Sequence, residues 1–591
     1  MDFELNLSLE ELNKRTSKEC FEKNDFLNES DTEFKELSVN EKNTLAHLAR
    51  ASMFVEKAYY KMENSHNIEF QKFLKEEISK GNEQAKLTKI LFDAQKSMFS
   101  ADREGNHIRL VKNLTQPVSM NFYPEDLTIP EFHSIINKML DEKKVEDIKN
   151  MLTQHSMVVR DGKFLKGIEY NDYFTELKDC ANELEQASKT CEDPELKKYL
   201  TYQVSALRNN NLEYDCLADL QWAKFKNGKI DFTLTRESYD DQMTESIGEN
   251  FSLAERLKNL NIEYTSKDTL GARVGLINKE GTNFLQLTAK NIAQVIYENM
   301  PFQDRYEQNN LFDGKDKLSS IELDLVCLTG GEGCYQAGIV LAQSLPNNDK
   351  LAIKRGGGKR NVYHKQIRDS KQKYFVEKLV VPELKKYLNY ESKHWQTICH
   401  ENTHPFGPKE NTFLGSYNSI IEENKADLGA FAFLPEMVKA KIFNNGQCKQ
   451  ILLSTIVTNF VKSKPSLQEP HVVERIMITN KMIENKAISV NEKAQISVDF
   501  KKAIEVSKDM MKEIVELQLS KSSEKAKAYV EKYFVWTEKL ERVAKVIREN
   551  SKILNGTINE PLKDYLISPK FELECSQKKV CGKKDNNQIS K

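Results

Sequence analysis

A chain of 591 residues that is 39% hydrophobic and 30% charged holds enough apolar material for a large core divided among about two to four structural units. Its 87 Lys plus Arg nearly cancel 89 Asp plus Glu, and the net charge of −2 gives no overall field to draw it to nucleic acid or to an anionic membrane. Ten cysteines without a C-x-x-C pair or a regular framework exclude a disulfide scaffold and read as reduced thiols of a cytoplasmic protein.

Residues 1–15 carry Asp2, Glu4, Glu10 and Glu11 where a secretory leader needs a basic start and an apolar run. No later stretch approaches a membrane span. Residues 1–32 are polar and patternless, and are expected to be disordered or extended. Apolar residues then recur at helical spacing from Leu37 through Leu45, Leu48, Ala51, Val55 and Ala58, opening a helical N-terminal region over 33–225. Further helical runs fall at about 70–94, 129–152 and 173–207. From Lys226 the pattern changes to short β-branched and apolar runs at 230–235, 273–277, 323–328 and 350–353, separated by glycine turns, so 226–372 is expected to be a strand-containing substrate lobe. The glycine clusters at 330–333 and 356–358 lack the G-x-x-x-x-G-K-[ST] arrangement, with Arg360 where a magnesium-holding hydroxyl belongs, and read as tight turns.

After about residue 370 the helical period returns, and 373–560 is expected to form a helical catalytic lobe. Leu388, Trp395 and Ile398 give a helix an apolar side, and Pro405 disfavours helical backbone at His404 and so ends it there. Charged periodic helices fill 489–549, with Ile504, Met511, Ile514, Val515 and Leu517 as the packed stripe. Residues 561–591 read as a polar tail in which Cys575 and Cys581 lack the two further ligands of a zinc knuckle.

The chemistry concentrates in His400-Glu401-Asn402-Thr403-His404. Residues four apart on a helix share a face, so His400 and His404 can both present a ring nitrogen to one metal while Glu401 flanks it as general base. Residues 405–422 are long enough for the helix to end, a loop to reverse and a second helix to return Glu423 as third ligand, leaving the fourth position open for water. Asp427, one turn beyond Glu423, or Glu422 is the acceptor for a ligating histidine's other N–H. Cys399 lies about 100° around the helix and points away from the metal. Binding of one zinc ion per chain follows, and a solvated acidic helix is the plainer alternative.

These paired motifs resemble those of the dipeptidyl-peptidase III family of zinc metallopeptidases, whose second motif E-E-x-[RK]-A-D/E is matched by Glu422 to Asp427. The usual first motif is one residue longer. The short form here is similar to a branch in bacteria and plants, sometimes joined to a Nudix domain, with a His-Glu-x-x-His-Gly-x-Gly-Pro run. Pro405 replaces its first glycine. Segments 121–128, 345–349 and 360–362, and His471 followed by Arg475, agree in order, and the resemblance runs from about residue 35 to about 550. It implies that His471 stabilises the transition state, that Arg475 sits near the substrate carboxylate and that Asn347 lies near the peptide amino group. Without the resemblance, His471 after Pro470 reads as a capping or core residue of a buried helix. Three positions depart from the family. Ile230 and Phe232 stand where it carries a glutamate for the substrate's amino terminus and a tyrosine for the reacting carbonyl, and Ser344 replaces an asparagine; Asp231 and Tyr239 are the nearby polar groups that could substitute.

The expectation is an α+β, predominantly α protein of two lobes, one a helical zinc-binding lobe and one containing a small β-barrel-like sheet, with a cleft between. Its expected activity is that of a zinc metallopeptidase hydrolysing short peptides from the amino end, with a short peptide as partner and neither nucleic acid nor membrane. The alternatives are a zinc hydrolase or aminopeptidase of other specificity, and a catalytically faded peptide-binding protein on the same scaffold.

Overall fold

The computed structural model describes residues 2–103, 106–209, 211–224, 228–237, 241–309, 311–312, 317–334, 340–346, 358–371, 377–408, 412–467 and 469–573. About 59% is helical and 15% is in strands. Order begins near the start of the chain: Ser8 accepts the Glu11 N–H and caps α1 (Leu9–Thr16), and β1 (Phe21–Asp25) follows. The first 32 residues, patternless in sequence, thus supply a helix and a strand. β1 finds its hydrogen bonds more than 500 residues away, which no local period can reveal.

A capping box of Ser38 and Glu41 starts α2 (Val39–Glu63), which packs along α3 (Glu176–Thr190), itself packed on α4 (Pro194–Asn209). Their buried faces, with Leu45, Leu48, Val55, Leu177 and Leu184, form one side of the first core. The other side is a sheet of β2 (Ile230–Glu237), β3 (Thr269–Asn278), β4 (Leu318–Gly330), β5 (Ala342–Leu345) and β6 (Lys359–His364), in the order β5-β6-β4-β3-β2. Neighbours are antiparallel except β4 and β6, which run parallel with Ile321 opposite Val362. The sheet curls into a half-barrel: Arg360 on β6 reaches across two strands to Asp231 on β2, Nη1 to Oδ1 at 3.1 Å, with both side chains fully buried.

Three of the strand runs expected from sequence lie inside β2, β3 and β4, whereas 350–353 lies outside the described residues. Between β3 and β4 runs α5 (Lys279–Asn299), whose Leu285, Ala289, Ile292 and Ile296 pack into the second core with the helices that follow residue 390. The middle of the chain therefore serves both lobes. That second core holds α6 (Glu391–Glu401), α7 (Asn418–Ala432), α8 (Pro470–Glu484) and α9 (Phe500–Ser520). The product is an α+β, predominantly α fold of two lobes.

The last described elements lie on the lobe that holds the first. β7 (Asn555–Asn559) pairs in parallel with β1, Phe21 opposite Asn555, and α10 (Pro561–Leu566) buries Leu562 and Leu566 in the first core. Residues 561–573 are consequently core-forming and not a polar tail, because one short helix needs only two apolar side chains to be held. Cys575 and Cys581 lie outside the described residues. The eight described cysteines form no disulfide, and no described helix is long and apolar enough to cross a membrane. Truncating Leu562, fully buried, to alanine should cost about 2–5 kcal/mol. Chemical denaturation should register that loss as a lower midpoint, and an unchanged midpoint would detach α10 from the core.

Candidate metal centre

The site is built where α7 lies against the end of α6. Helical hydrogen bonding runs out there in steps: Asn402 N–H reaches Ile398 O at 3.1 Å, Thr403 N–H reaches His400 O at 2.9 Å, and His404 N–H reaches His400 O at 3.4 Å. Regular helix stops at Glu401, slightly before the proline requires, yet the loosened turn still carries His404 over His400, ring centroids 4.8 Å apart and nearly perpendicular. Gly429 permits the approach of α7, since a Cβ there would overlap the Thr403 side chain. Fully buried Lys425 fastens α7 to the following loop, donating to Phe406 O at 2.7 Å and pairing with Glu422 Oε1 at 2.8 Å.

Glu423 Oε2 stands 3.3 Å from His400 Nε2 and 3.7 Å from His404 Nε2, and the two nitrogens are 3.1 Å apart. Atoms about 2.0–2.1 Å from one tetrahedral zinc stand about 3.3–3.4 Å from each other, so these separations are those of three vertices around a shared centre. The donor set of two imidazoles and a carboxylate is also that of an open zinc site. Glu423 Oε2 is buried yet makes no hydrogen bond of acceptable geometry, as expected of an atom aimed at a cation. Residues present and metal chemistry therefore fit.

His471, one residue into α8, approaches from a third helix with Nδ1 3.0 Å from the same Glu423 oxygen. His400, Glu423 and His471 atoms also lie within 4.8 Å of one another, so Glu423 faces three imidazoles. His471 is 47% exposed whereas His400 is 11%, which sets it at the open side of the cluster.

Each of the paired imidazoles is oriented from behind. His400 Nδ1 lies 2.6 Å from Asp427 Oδ1, which also accepts from Gln396 Nε2 at 2.6 Å; His404 Nδ1 lies 3.1 Å from Glu422 Oε1, whose other oxygen accepts from Gln518 Nε2 on α9 at 3.0 Å. The choice left open in sequence, Asp427 or Glu422, resolves as one carboxylate per histidine. Burial alone would raise the Asp427 and Glu423 carboxyls. The His400 hydrogen bond holds Asp427 below the usual carboxylate range, and the charges of His471 and His404 hold Glu423 well below it. Glu401 goes the other way: burial pushes its carboxyl up, with Glu423 adding to the rise and the His400 and His404 charges opposing it.

The remaining candidates divide. Arg475 follows His471 by one turn, and its buried Nε has no hydrogen-bond partner among the described residues. Asn347 and Tyr239 lie outside the described residues. Asp231 is committed to Arg360, Trp222 Nε1 and Thr233 Oγ1. Phe232 is fully buried, its ring 6.4 Å from that of Tyr199, and Ile230 is buried beside it on β2. Ser344 on β5 is buried with a hydroxyl that has no hydrogen-bond partner. Sequence reasoning missed Gln396, although 396, 400 and 404 recur at four-residue steps, and it missed Lys425 inside the second motif.

No family model matches the chain. It is 23% identical over 496 residues to Nudix hydrolase 3 of Arabidopsis thaliana, a match covering 77% of this chain and 60% of that protein, so the chain spans about 60% of the length of this curated relative. Dipeptidyl-peptidase III of Caldithrix abyssi superposes with a TM-score of 0.71 at 20% identity, covering 94% of this chain and 100% of the other. The enzyme of the same name from Corallococcus sp. strain EGB gives 0.77 at 16% identity, covering 94% and 98%. The fold of the chain is that of these dipeptidyl-peptidase III structures. Asp427→Asn, which keeps the shape but weakens the acceptor at His400 Nδ1, should lower zinc affinity about 10- to 100-fold in competition with a chelator. Unaltered affinity would remove Asp427 from the support of the site.

Proposed function

We propose that this protein is a zinc metallopeptidase of the dipeptidyl-peptidase III type that hydrolyses short peptides from the amino end. The observation that carries the reading is the tetrahedral spacing of His400 Nε2, His404 Nε2 and Glu423 Oε2 at 3.1–3.7 Å, with Glu401 beside them. Those three residues would hold the ion. Zinc bound in such a site polarises a carbonyl and makes water acidic enough to attack it near neutral pH.

The chain's own groups supply the rest. Glu401, raised by burial toward the range of a working base, takes the proton of the attacking water and returns it to the leaving amine. His471, at the open side of the cluster, donates to the oxygen on which charge develops. Among the described residues β5 is an edge strand of its sheet, where an extended peptide would add as a further strand. A peptide held so must be extended, which favours short or unfolded chains over folded proteins. Eight described cysteines without a disulfide fit a reducing, cytoplasmic setting.

One observation favours a second reading, a zinc aminopeptidase or hydrolase of other specificity. Phe232 and Ile230 on β2 are buried and bring neither hydroxyl nor carboxylate, and Asp231 is already paired, so positions 230–232 offer no uncommitted polar group to a dipeptide's amino terminus. A panel of dipeptidyl, single-residue and amino-blocked amides separates the two readings by the position of the cut.

In the intact protein, Glu401→Gln should reduce kcat on any cleaved peptide by about 100- to 10,000-fold with zinc content unchanged; equal turnover would remove Glu401 as the base. His471→Ala should also keep its metal, and should lose about 100-fold or more in kcat. Metal lost together with activity would instead make His471 a ligand, and full turnover would dismiss it from the site.

A further inference from the structure

α7 and α8 pack against each other, and His471 on α8 stands 3.0 Å from Glu423 on α7. One turn further along each helix come Asp427, four residues after Glu423, and Glu474, three residues after His471. Those spacings keep each new residue on the face of the one before it, so Glu474 is the α8 residue set opposite Asp427. The two carboxyl groups lie within hydrogen-bonding reach of each other. Both side chains are buried, Glu474 at 1% exposure.

The donors around this pair are enough for one charged carboxylate and not for two. Asp427 Oδ1 takes the His400 Nδ1–H and the Gln396 amide, both at 2.6 Å. Asp427 Oδ2 and Glu474 Oε2 are also buried, and neither has a donor among the described residues. Glu474 Oε1 is 3.6 Å from Arg475 Nε, too far for a hydrogen bond. Burial alone would raise Asp427, but the His400 hydrogen bond and the charges of His400, Lys393 and Arg475 hold it low. Burial pushes the Glu474 carboxyl well above the usual carboxylate range, with the Asp427 charge adding to the rise and Arg475 opposing it. Two carboxyl groups that meet in a buried contact ionise one at a time, because the second charge would face both the first and a low dielectric.

Accepting the metal site of the proposed function, on which this rests, we infer that Glu474 is a positioning residue that keeps its proton at neutral pH and donates it to Asp427 Oδ2. The contacts then run from the Glu474 O–H to Asp427, and from Asp427 to the His400 Nδ1–H, which leaves His400 Nε2 for the metal. Donors on both of its oxygens fix Asp427, so its single charge stays against His400. The proton also keeps one more negative charge out of a region already rich in carboxylates. A carboxyl that donates and a carboxylate that only accepts respond differently to substitution. Glutamine reproduces the first, since its neutral amide donates from the same place, and lacks the charge of the second.

Infrared difference spectra of the zinc-loaded wild type against Glu474→Gln read the proton directly. The carbonyl band of a protonated carboxyl, at higher frequency than carboxylate and amide bands, should be present in the wild type and missing from the variant. Competition with a chelator reads the positioning. Glu474→Gln should stay within about threefold of wild-type zinc affinity, whereas Glu474→Leu, similar in bulk but without a donor, should bind zinc about tenfold more weakly. Thermal unfolding checks that each variant is folded. The inference is overturned if the band is absent, if Glu474→Gln weakens zinc as much as Glu474→Leu, or if Glu474→Leu keeps full affinity. Should the leucine variant not fold, the band together with wild-type affinity in Glu474→Gln sustains the inference, and the lack of either overturns it. A wild type that takes up no zinc defeats the metal site itself; the band, recorded on the protein as purified, then decides by its presence or absence whether Glu474 holds the proton.

Discussion

Four carboxylates gathered at one helix–helix contact set the terms for the second, helical lobe. Glu401, Glu422, Glu423 and Asp427 lie where α7 meets the end of α6, and three of them are buried. Fully buried Lys425 is the permanent cation among them. With neutral imidazoles the carboxylates outnumber the one cation among them, an imbalance that low-dielectric surroundings make costly even with Lys393 and Arg475 acting on Asp427 from nearby. The carboxylates raise the His400 imidazole well above its ordinary value even though its burial acts the other way, so the field there favours positive charge. A divalent ion bound there would offset most of the excess and give the buried Glu423 oxygen a ligand bond. The buried face of α7, the closeness allowed at Gly429 and the clamp from Lys425 to Phe406 all serve to keep that contact tight.

The other lobe is organised by charges of the opposite sign. Arg273 and Arg360 are fully buried on the half-barrel, Arg360 held by Asp231 and Arg273 by Thr233 and Gln343. The Arg360–Asp231 and Arg273–Gln343 contacts join strands that are not neighbours, so curvature and polar satisfaction are secured together. The curl leaves β5 as an edge that faces the catalytic lobe, since Ala342 of β5 and Tyr363 of β6 pack in the second core and the Asn402 amide reaches the Tyr363 hydroxyl at 3.4 Å. β5 and β6 thus lie at the contact between the two lobes.

What was legible in the sequence follows from where the constraints are local. Ligands on one helix face must sit four residues apart, and their supporting carboxylates must sit on the next helix at similar spacing, so His400, His404, Glu423, Glu422 and Asp427 could be read before any coordinates. The end of α6 was legible to within a turn because Pro405 acts on its immediate neighbours. Non-local pairing was not legible. β1 and β7 are joined by backbone hydrogen bonds that carry no side-chain signature, and β6, read as Lys-Arg-Asn-Val-Tyr-His, is polar because its side chains enter buried networks and contacts between lobes. α5 has a clear apolar stripe, yet its membership of the far core could not be guessed from its place between two strands. Lys393 and Gln396 were missed for a different reason: a lysine or glutamine on a helix is ordinarily solvated, and only burial distinguishes these two.

The polar resources of the site are unevenly placed along the path of a peptide. At positions 230–232 of β2 the side chains are Ile230 and Phe232, both buried and apolar, and an aspartate paired with Arg360. Orientation of a substrate needs at least one strong, directional contact outside the reacting atoms, because positioning is what turns a bound peptide into a reacting one. Backbone pairing along β5 fixes the direction of a strand but not its register, since every second residue repeats the same pattern. Register must then come from a side chain or a chain end that fits in one place only.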